Sequence, residues 1–453
     1  MEAKQRSSFT GKIGFVLAAA GSAVGLGNIW RFPYLAAKYG GGVFLLVYII
    51  LSITFGFSLM VAEIAIGRKT GLSAVSAYKA LDKRFSFVGY LTSAIPTIIL
   101  SYYAVIGGWV LKYISGYAVG ETAAMANDSY FGNYISQVGG PVFWFLIFML
   151  LTAVIVFFGV DKGIERVSKV MMPLLIAIII FISLYTIITM PGALDGVIYY
   201  IKPDFSKFSL MTVISAMGQL FYSMSLAMGI MITYGSYMKK DVSLEKSVRQ
   251  IEIFDTGIAF LAGLMIVPAV FAFSGGDEAA LSKGPGLMFI TLPKVFESMK
   301  GGAFIGALFF LLVLFAALTS SISLMETVVS IVRDKFGWNR KAVCIGVFIF
   351  CIVLGLPSCF GFSIWSEIAV KGLSILDMFD FITNSVMMPI VALLTCIFIG
   401  YVIKPKSLIE EVEISGPFKA KKLFTVVIKY IAPVCIVLIL LFSVAEGLGF
   451  IKV

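Results

Sequence analysis

The sequence predicts an all-α integral membrane protein, and three observations carry that expectation. Residues are 60% hydrophobic and only 13% charged, and mean hydropathy is +1.00. Apolar runs such as VFLLVYIILSITFGFSLMVA and PVFWFLIFMLLTAVIVFFGV recur from end to end; a spanning helix needs roughly 20 such residues. Lys and Arg gather on one side of these runs. Backbone polar groups in lipid must be satisfied within their own segment, so the runs are helices rather than open strands.

Eleven spans are expected, at 11–37, 42–68, 87–118, 141–159, 165–190, 211–237, 248–273, 303–333, 341–360, 376–402 and 424–447. They are called helices 1 to 11 below. Residues 1–10 form a tail before them. Lys69, Lys79, Lys83 and Arg84 crowd the segment between helices 2 and 3. The segment between helices 3 and 4, on the opposite side, carries Glu121 and Asp128 and no Lys or Arg. The positive-inside rule then places the N-terminus inside and, with an odd number of spans, the C-terminus outside. This asymmetry accounts for the net charge of +10 without a nucleic-acid partner.

Other absences narrow the function. The chain has no His, which removes the commonest metal ligand and the usual near-neutral proton shuttle. Its cysteines, Cys344, Cys351, Cys359, Cys396 and Cys435, lie in apolar segments without metal-ligand spacing and read as small buried hydrophobes. No nucleophile with a base, metal cluster or nucleotide loop is evident, so an enzyme is not expected. The first apolar segment lacks a small-residue cleavage site, so no cleaved leader is expected.

Along the chain, helix 1 is the first anomaly. Its stretch GSAVGLGNIWRFP, Gly21 to Pro33, puts glycines, Asn28 and Arg31 where a bilayer favours Leu and Val. Helices 2, 3 and 4 are long apolar runs. Helix 5 carries Gly163 and then Pro173 in GIERVSKVMMP. Proline removes a helical hydrogen bond and glycine lowers helix propensity, so the segment between them is a candidate for unwinding. Helix 6, in GQLFYSMSLAMGIMITYGSY, repeats the anomaly of helix 1 with small and polar residues at its centre. Helix 7 contains Asp255 in IFDTGIAFLAG, with Glu252 nearer the inner surface; acids at membrane depth are costly and usually functional. Helix 8 holds the run LTSS, Leu318 to Ser321. Helix 9 is a plain apolar span bearing three of the cysteines, helix 10 carries Asp380 in LDMFDFI, and helix 11 is the apolar run VVIKYIAPVCIVLILLFSVA.

Helices 1 and 6 open two sets of five. Matching interruptions point to an inverted repeat, 11–190 and 211–402, with 424–447 outside it. Freed N–H and C=O groups at membrane depth are tolerable only where they line a cavity. N–H groups at a half-helix start suit an anion, and freed carbonyls suit a cation or an ammonium. A zwitterion such as an amino acid fits both.

The stretch GSAVGLGNIWRFPYLAAKYGGG resembles the helix-1 signature of the neurotransmitter:sodium symporters, which share the leucine-transporter fold. VAEIAIGRKTG, SYYAVIGGW, GQLFYSMSL, ITLP and FAALTSSISLME extend the resemblance over nearly the whole chain. Most members have twelve helices. Eleven helices and the helix-5 sequence are most similar to the family's bacterial, multihydrophobic amino-acid-transporting members. The resemblance implies a multi-pass protein of the bacterial inner membrane that imports an amino acid with sodium ions.

It also implies residue roles. One sodium ion would lie among Ala23, Asn28 and Ser223, with Asp255 placed, by alignment on Gly263, where the family often has a sodium-binding Asn. A fixed carboxylate there implies independence from chloride. A second ion would use Gly21, Val24, Ala316, Thr319 and Ser320; a hard cation wants such oxygen ligands. The substrate carboxylate would meet the amides of Leu26 and Gly27 and the hydroxyl of Tyr103. Its ammonium would meet Ala23, Tyr222, Ser223 and Ser225. Ile99, Tyr222, Met228, Ser321 and Leu324 would set side-chain preference, and the adaptable Met228 in an apolar pocket favours bulky hydrophobic and aromatic substrates. Arg31 and Asp380 would close the outer side with Tyr103 and Tyr222 as a lid, and Arg6, Asp334 and Tyr237 the inner side. Single exposed ion pairs are weak, which suits gates that must open.

Overall fold

The computed structural model describes residues 8–277, 280–281, 286–369 and 372–447. Among these, helices make up all the regular structure, apart from isolated bridges such as that between Gly41 and Pro203. Local sequence sets several helix starts. Ser209 and Thr212 form a reciprocal cap at the start of helix 6, Ser374 and Asp377 do so for helix 10, and the Asn339 side chain accepts from Lys341 N at the start of helix 9. Such side chains satisfy N–H groups left over by the first turn.

Nine helices among the described residues are long and apolar enough to cross a membrane, or ten if the pair Lys12–Ala23 and Gly27–Lys38, bent by 57°, is one span. The expected sixth span is not among them, because it consists of two pieces, Leu210–Ser223 and Ile230–Gly235, each too short to cross alone. Helix 3 is the most enclosed: 83% of its most apolar stretch is buried, against 33% for helices 4, 5 and 11. Helix 3 is therefore a central post, packed along helices 4, 8 and 9, while helices 4, 5 and 11 face outward. Helix 7, Leu244–Phe273, touches both halves of helix 1.

Helix 2, Gly42–Thr70, fixes the second half of helix 6 by close backbone approach. A Cβ on Gly67 would fall 1.8 Å from the Ile232 carbonyl oxygen, and one on Gly235 would fall 2.4 Å from that of Ile64. Only glycine admits this contact. Nearby, the buried Arg68 donates to Glu411 Oε1 at 2.8 Å and to the Val242 carbonyl at 3.0 Å. That ties helix 2 to the segments joining helices 6 to 7 and 10 to 11.

In helix 5 a wide π-type turn over Val160–Glu165, which includes Gly163, follows Gly159 at φ 91°, and a regular helix then runs from Arg166 to Thr189 through Pro173.

Candidate functional site

The first half of helix 1 ends at Ala23, and the chain resumes at Gly27 in a π-type turn leading into Phe32–Lys38. Between them Val24 is extended, and the Gly25 N–H donates to Asn28 Oδ1 at 3.1 Å. Gly27 is required by its neighbour, since a Cβ there would lie 2.5 Å from the Tyr222 ring. Helix 6 breaks over 224–229. Ser225, Ala227 and Gly229 have φ of 53°, 60° and 72°, the left-handed region that ordinary side chains avoid. The Ala227 N–H donates to Glu63 Oε1 at 2.6 Å, and the Ser225 hydroxyl donates to the Ser22 carbonyl at 3.0 Å. The two breaks therefore hold one another.

Against the helix 1 break lies a polar cluster sealed from solvent. Asn28 Nδ2 donates to Asp255 Oδ1 at 2.7 Å and to Ser223 Oγ at 3.2 Å. The Ser223 hydroxyl donates to the Asp255 carboxylate at 2.7 Å and 2.8 Å, and Tyr48 donates to its other edge at 3.2 Å. Asp255 and Asn28 are both 0% exposed. The carboxylate's hydrogen-bond partners are thus all neutral. Glu252 lies elsewhere, 3.3 Å from the Arg249 guanidinium.

A second cluster joins helices 1, 5 and 8. The Ser320 hydroxyl donates to the carbonyls of Ser22 at 3.1 Å and Val24 at 3.4 Å. The Thr319 hydroxyl donates within its helix to Phe315 and Ala316, at 2.9 Å and 3.1 Å. A Cβ on Gly21 would sit 3.3 Å from both Thr319 Cβ and Met172 Sδ, so these three residues converge.

Between the clusters is a narrow cavity with about 30 Å³ in which the centre of a water-sized molecule fits. Ala23, Leu26, Gly27, Ile99, Tyr103, Tyr222, Ser223, Ser225, Met228 and Leu324 all line it, as does Ser320. Tyr103 accepts from the Leu26 N–H at 3.3 Å. Ser321 is not in the wall. Its hydroxyl turns to the Leu318 carbonyl at 3.0 Å and lies 2.8 Å from Thr152 of helix 4. Ser22, Gly25 and Ile230 line the cavity without having been singled out in the sequence.

On one side, a wider space of about 210 Å³ by the same measure opens beyond Tyr222. Arg31 and Asp380 both line it. The Arg31 guanidinium lies 5.8 Å from the Tyr222 ring centroid, and Asp380 accepts from Tyr102 at 3.0 Å and Asn384 at 2.6 Å. On the other side, the Tyr237 hydroxyl donates to Glu326 at 2.7 Å, and Asp334 accepts from Ser73 N and Oγ at 2.8 Å and 2.7 Å. Arg340 also donates to Glu326, at 2.9 Å. Arg6 lies outside the described residues. Glu63, Glu326 and Arg340 belong to these networks and were not read from the sequence. The signal that marked Asp255, an acid inside an apolar run, marks Glu63 and Glu326 equally.

The model of the sodium:neurotransmitter symporter family matches residues 6–121 and 121–448. An uncharacterized sodium-dependent transporter of Bacillus subtilis, YhdH, is 36% identical over 97% of this chain and 98% of its own length. The sodium- and chloride-dependent taurine transporter of Rattus norvegicus is 28% identical over 90% of this chain and 73% of its own. The crystal structure of MhsT in complex with L-phenylalanine superposes with a TM-score of 0.87 at 37% identity, covering 97% of this chain and all of that one.

Proposed function

The chain belongs to the sodium:neurotransmitter symporter family, sodium-coupled multi-pass transporters and not enzymes, and from that premise we propose that it imports hydrophobic and aromatic L-amino acids by alternating access. Two sodium ions accompany each substrate, and chloride is not needed. One observation carries this reading: a carboxylate, Asp255, buried with only neutral hydrogen-bond partners beside Asn28, Ser223 and the helix 1 break. A buried charge without a counter-ion is strongly unfavourable. A sodium ion held by Ala23, Asn28, Ser223 and Asp255 supplies the missing charge, and the fixed negative charge makes a bound chloride superfluous. The rat relative is, by its name, chloride-dependent.

Gly21, Val24, Ala316, Thr319 and Ser320 offer the second ion only neutral carbonyls and hydroxyls. The substrate carboxylate would meet the amides of Leu26 and Gly27 with Tyr103, and its ammonium the carbonyls of Ala23 and Tyr222 with Ser223 and Ser225. Ile99, Met228 and Leu324 bring no charge to pair with a charged side chain, and the neighbour MhsT was crystallised with L-phenylalanine. Ser321, whose hydroxyl lies against Thr152 of helix 4, is left out of the side-chain pocket. We read 11–190 and 211–402 as inverted halves, with the N-terminus cytoplasmic in a bacterial inner membrane. Arg31 and Asp380 then gate the outer side, and Tyr237, Asp334 and Arg6 the inner side.

A tenfold sodium gradient supplies about 1.4 kcal/mol per ion, and 100 mV about 2.3. Two ions give about 7 kcal/mol, close to five decades of accumulation for a neutral amino acid.

Uptake into proteoliposomes tests the reading. Labelled Phe, Trp and Leu should accumulate on an inward sodium gradient, unchanged when gluconate replaces chloride, while Glu does not. Equal uptake with choline in place of sodium, or preferential uptake of Glu, would contradict it.

A further inference from the structure

Helices 10 and 11 carry, beside the connection 403–420, a cation that no carboxylate among the described residues pairs. Lys429 lies in a wide π-type turn of helix 11, Val427–Ile431, packed against a like turn of helix 10, Phe398–Val402. Such turns interrupt regular helical bonding and recur at functional sites. Pro433 follows Lys429 by four residues and has no N–H to give to its carbonyl. The Tyr401 hydroxyl donates to that carbonyl instead, at 2.8 Å, which fixes Tyr401 across the helix pair. The Lys429 stem runs past Gly400, where a Cβ would lie 3.5 Å from its Cγ. Its ammonium ends 5.7 Å from the Tyr401 ring centroid and 5.9 Å from that of Tyr430, close enough for an aromatic face to attract a cation. Both rings are more than half exposed, at 56% and 59%. The neighbouring lysines differ: Lys406 reaches Glu410 at 4.0 Å and Lys421 reaches Glu413 at 3.3 Å. Lys422 is exposed and stands about two turns before Lys429 on the same face of helix 11.

We propose that Lys429, set between Tyr401 and Tyr430 with Lys422 on the same face, binds the phosphate of an anionic phospholipid. Helix 11 begins at Lys421, so Lys429 sits about 12 Å along it, level with the end of helix 10 at Val402. Tyrosines and lysines at such a helix end mark the boundary between headgroups and hydrocarbon. An ionisable side chain at that depth calls for a partner, and the lipid phosphate supplies the charge that the protein does not. Beyond the headgroup, Tyr430, Val434, Val437 and Leu441 are all exposed at helical spacing and form one apolar track up helix 11. That track suits an acyl chain and offers nothing to a free phosphate ion. The leaflet concerned is the cytoplasmic one if the orientation read above holds; the site itself does not depend on it.

Titration of the purified full chain in detergent, with bound lipid counted by native mass spectrometry, decides it. Palmitoyl-oleoyl phosphatidylglycerol is the probe; phosphatidylcholine with the same chains and inorganic phosphate are separate arms. Phosphatidylglycerol should be retained in preference to phosphatidylcholine. Lys429→Gln should weaken its binding about fivefold, and Lys422→Gln with Lys429→Gln about twenty-fivefold. Lys429→Arg keeps the charge and should keep the binding, which separates loss of the site from loss of the fold. Tyr401→Phe keeps the ring, loses its bond to the Lys429 carbonyl and should cost about threefold. Lys406→Gln, a basic position already paired with Glu410, should change nothing. Equal retention of the two lipids, or equal losses at Lys406 and Lys429, would overturn the site. Displacement of phosphatidylglycerol by an equal concentration of inorganic phosphate would overturn its assignment to a lipid.

Discussion

Helices 1 and 6 are both broken at membrane depth, and they are broken by different means. At Val24–Leu26 no residue has a positive φ, and glycines on either side allow the bend without backbone strain. Over 224–229, two non-glycine residues, Ser225 and Ala227, are left-handed, at a cost of order 1–3 kcal/mol each. Their conformation persists because Glu63 of helix 2 holds Ala227 N and the Ser22 carbonyl holds Ser225. Helix 1 is therefore broken by its own residues, and helix 6 by its surroundings. The difference suits alternating access, which needs one face that moves against one that does not.

The largest way to break that contrast is Glu63→Ala. It leaves the buried Ala227 N–H without its acceptor and should cost about 1–3 kcal/mol. Lower thermal stability and a loss of substrate binding near a hundredfold are expected, while Glu63→Gln, which keeps an acceptor oxygen, recovers most of both. Next, Gly27→Ala drives a Cβ toward the Tyr222 ring and should cost about 1–3 kcal/mol, the usual cost of overpacking, read as a lower melting temperature and weaker substrate binding. Ser320→Ala removes the bond from helix 8 to the Ser22 and Val24 carbonyls. It should raise the sodium concentration for half-maximal binding by roughly threefold to tenfold, from about 0.5–1.5 kcal/mol. The smallest effect sharpens the contrast. Ala227→Gly relieves a left-handed residue and should keep binding while raising stability by up to about 1 kcal/mol. A clear loss of stability there would mean the helix 6 turn is not strained.

The same division explains what was legible beforehand. Helix 1 could be read residue by residue, because its break is written in Gly21, Gly25, Gly27 and the polar Asn28. Among the described residues nine span positions, and helix 1 as a bent pair, agree to within a few residues, because each is a long apolar run. The interruption of helix 6 was visible, but its support was not: Glu63 lies far away in sequence, and nothing local says which backbone N–H it meets. Ser321 shows a second limit. In the run Thr319–Ser320–Ser321 the hydroxyls point about 100° apart around the helix axis, and only the position of Thr152 on helix 4 decides that Ser320 faces the cavity while Ser321 does not. Helix 5 shows a third. Gly163 falls inside the irregular turn Val160–Glu165, while Pro173 lies within the regular helix that follows, and the sequence alone did not say where between them regular helix begins.

In the proposed mechanism, peptide groups freed at the two breaks, with Asp255, bind sodium and an amino acid together. Equilibrium binding of labelled phenylalanine to the purified protein across a sodium titration, with total ionic strength held by choline, tests it most directly. Saturable binding that rises more steeply than the first power of sodium, vanishes in choline alone and loses its sodium response in Asp255→Asn is the predicted result. Binding of equal strength without sodium, or an unaltered sodium response in Asp255→Asn, would contradict it.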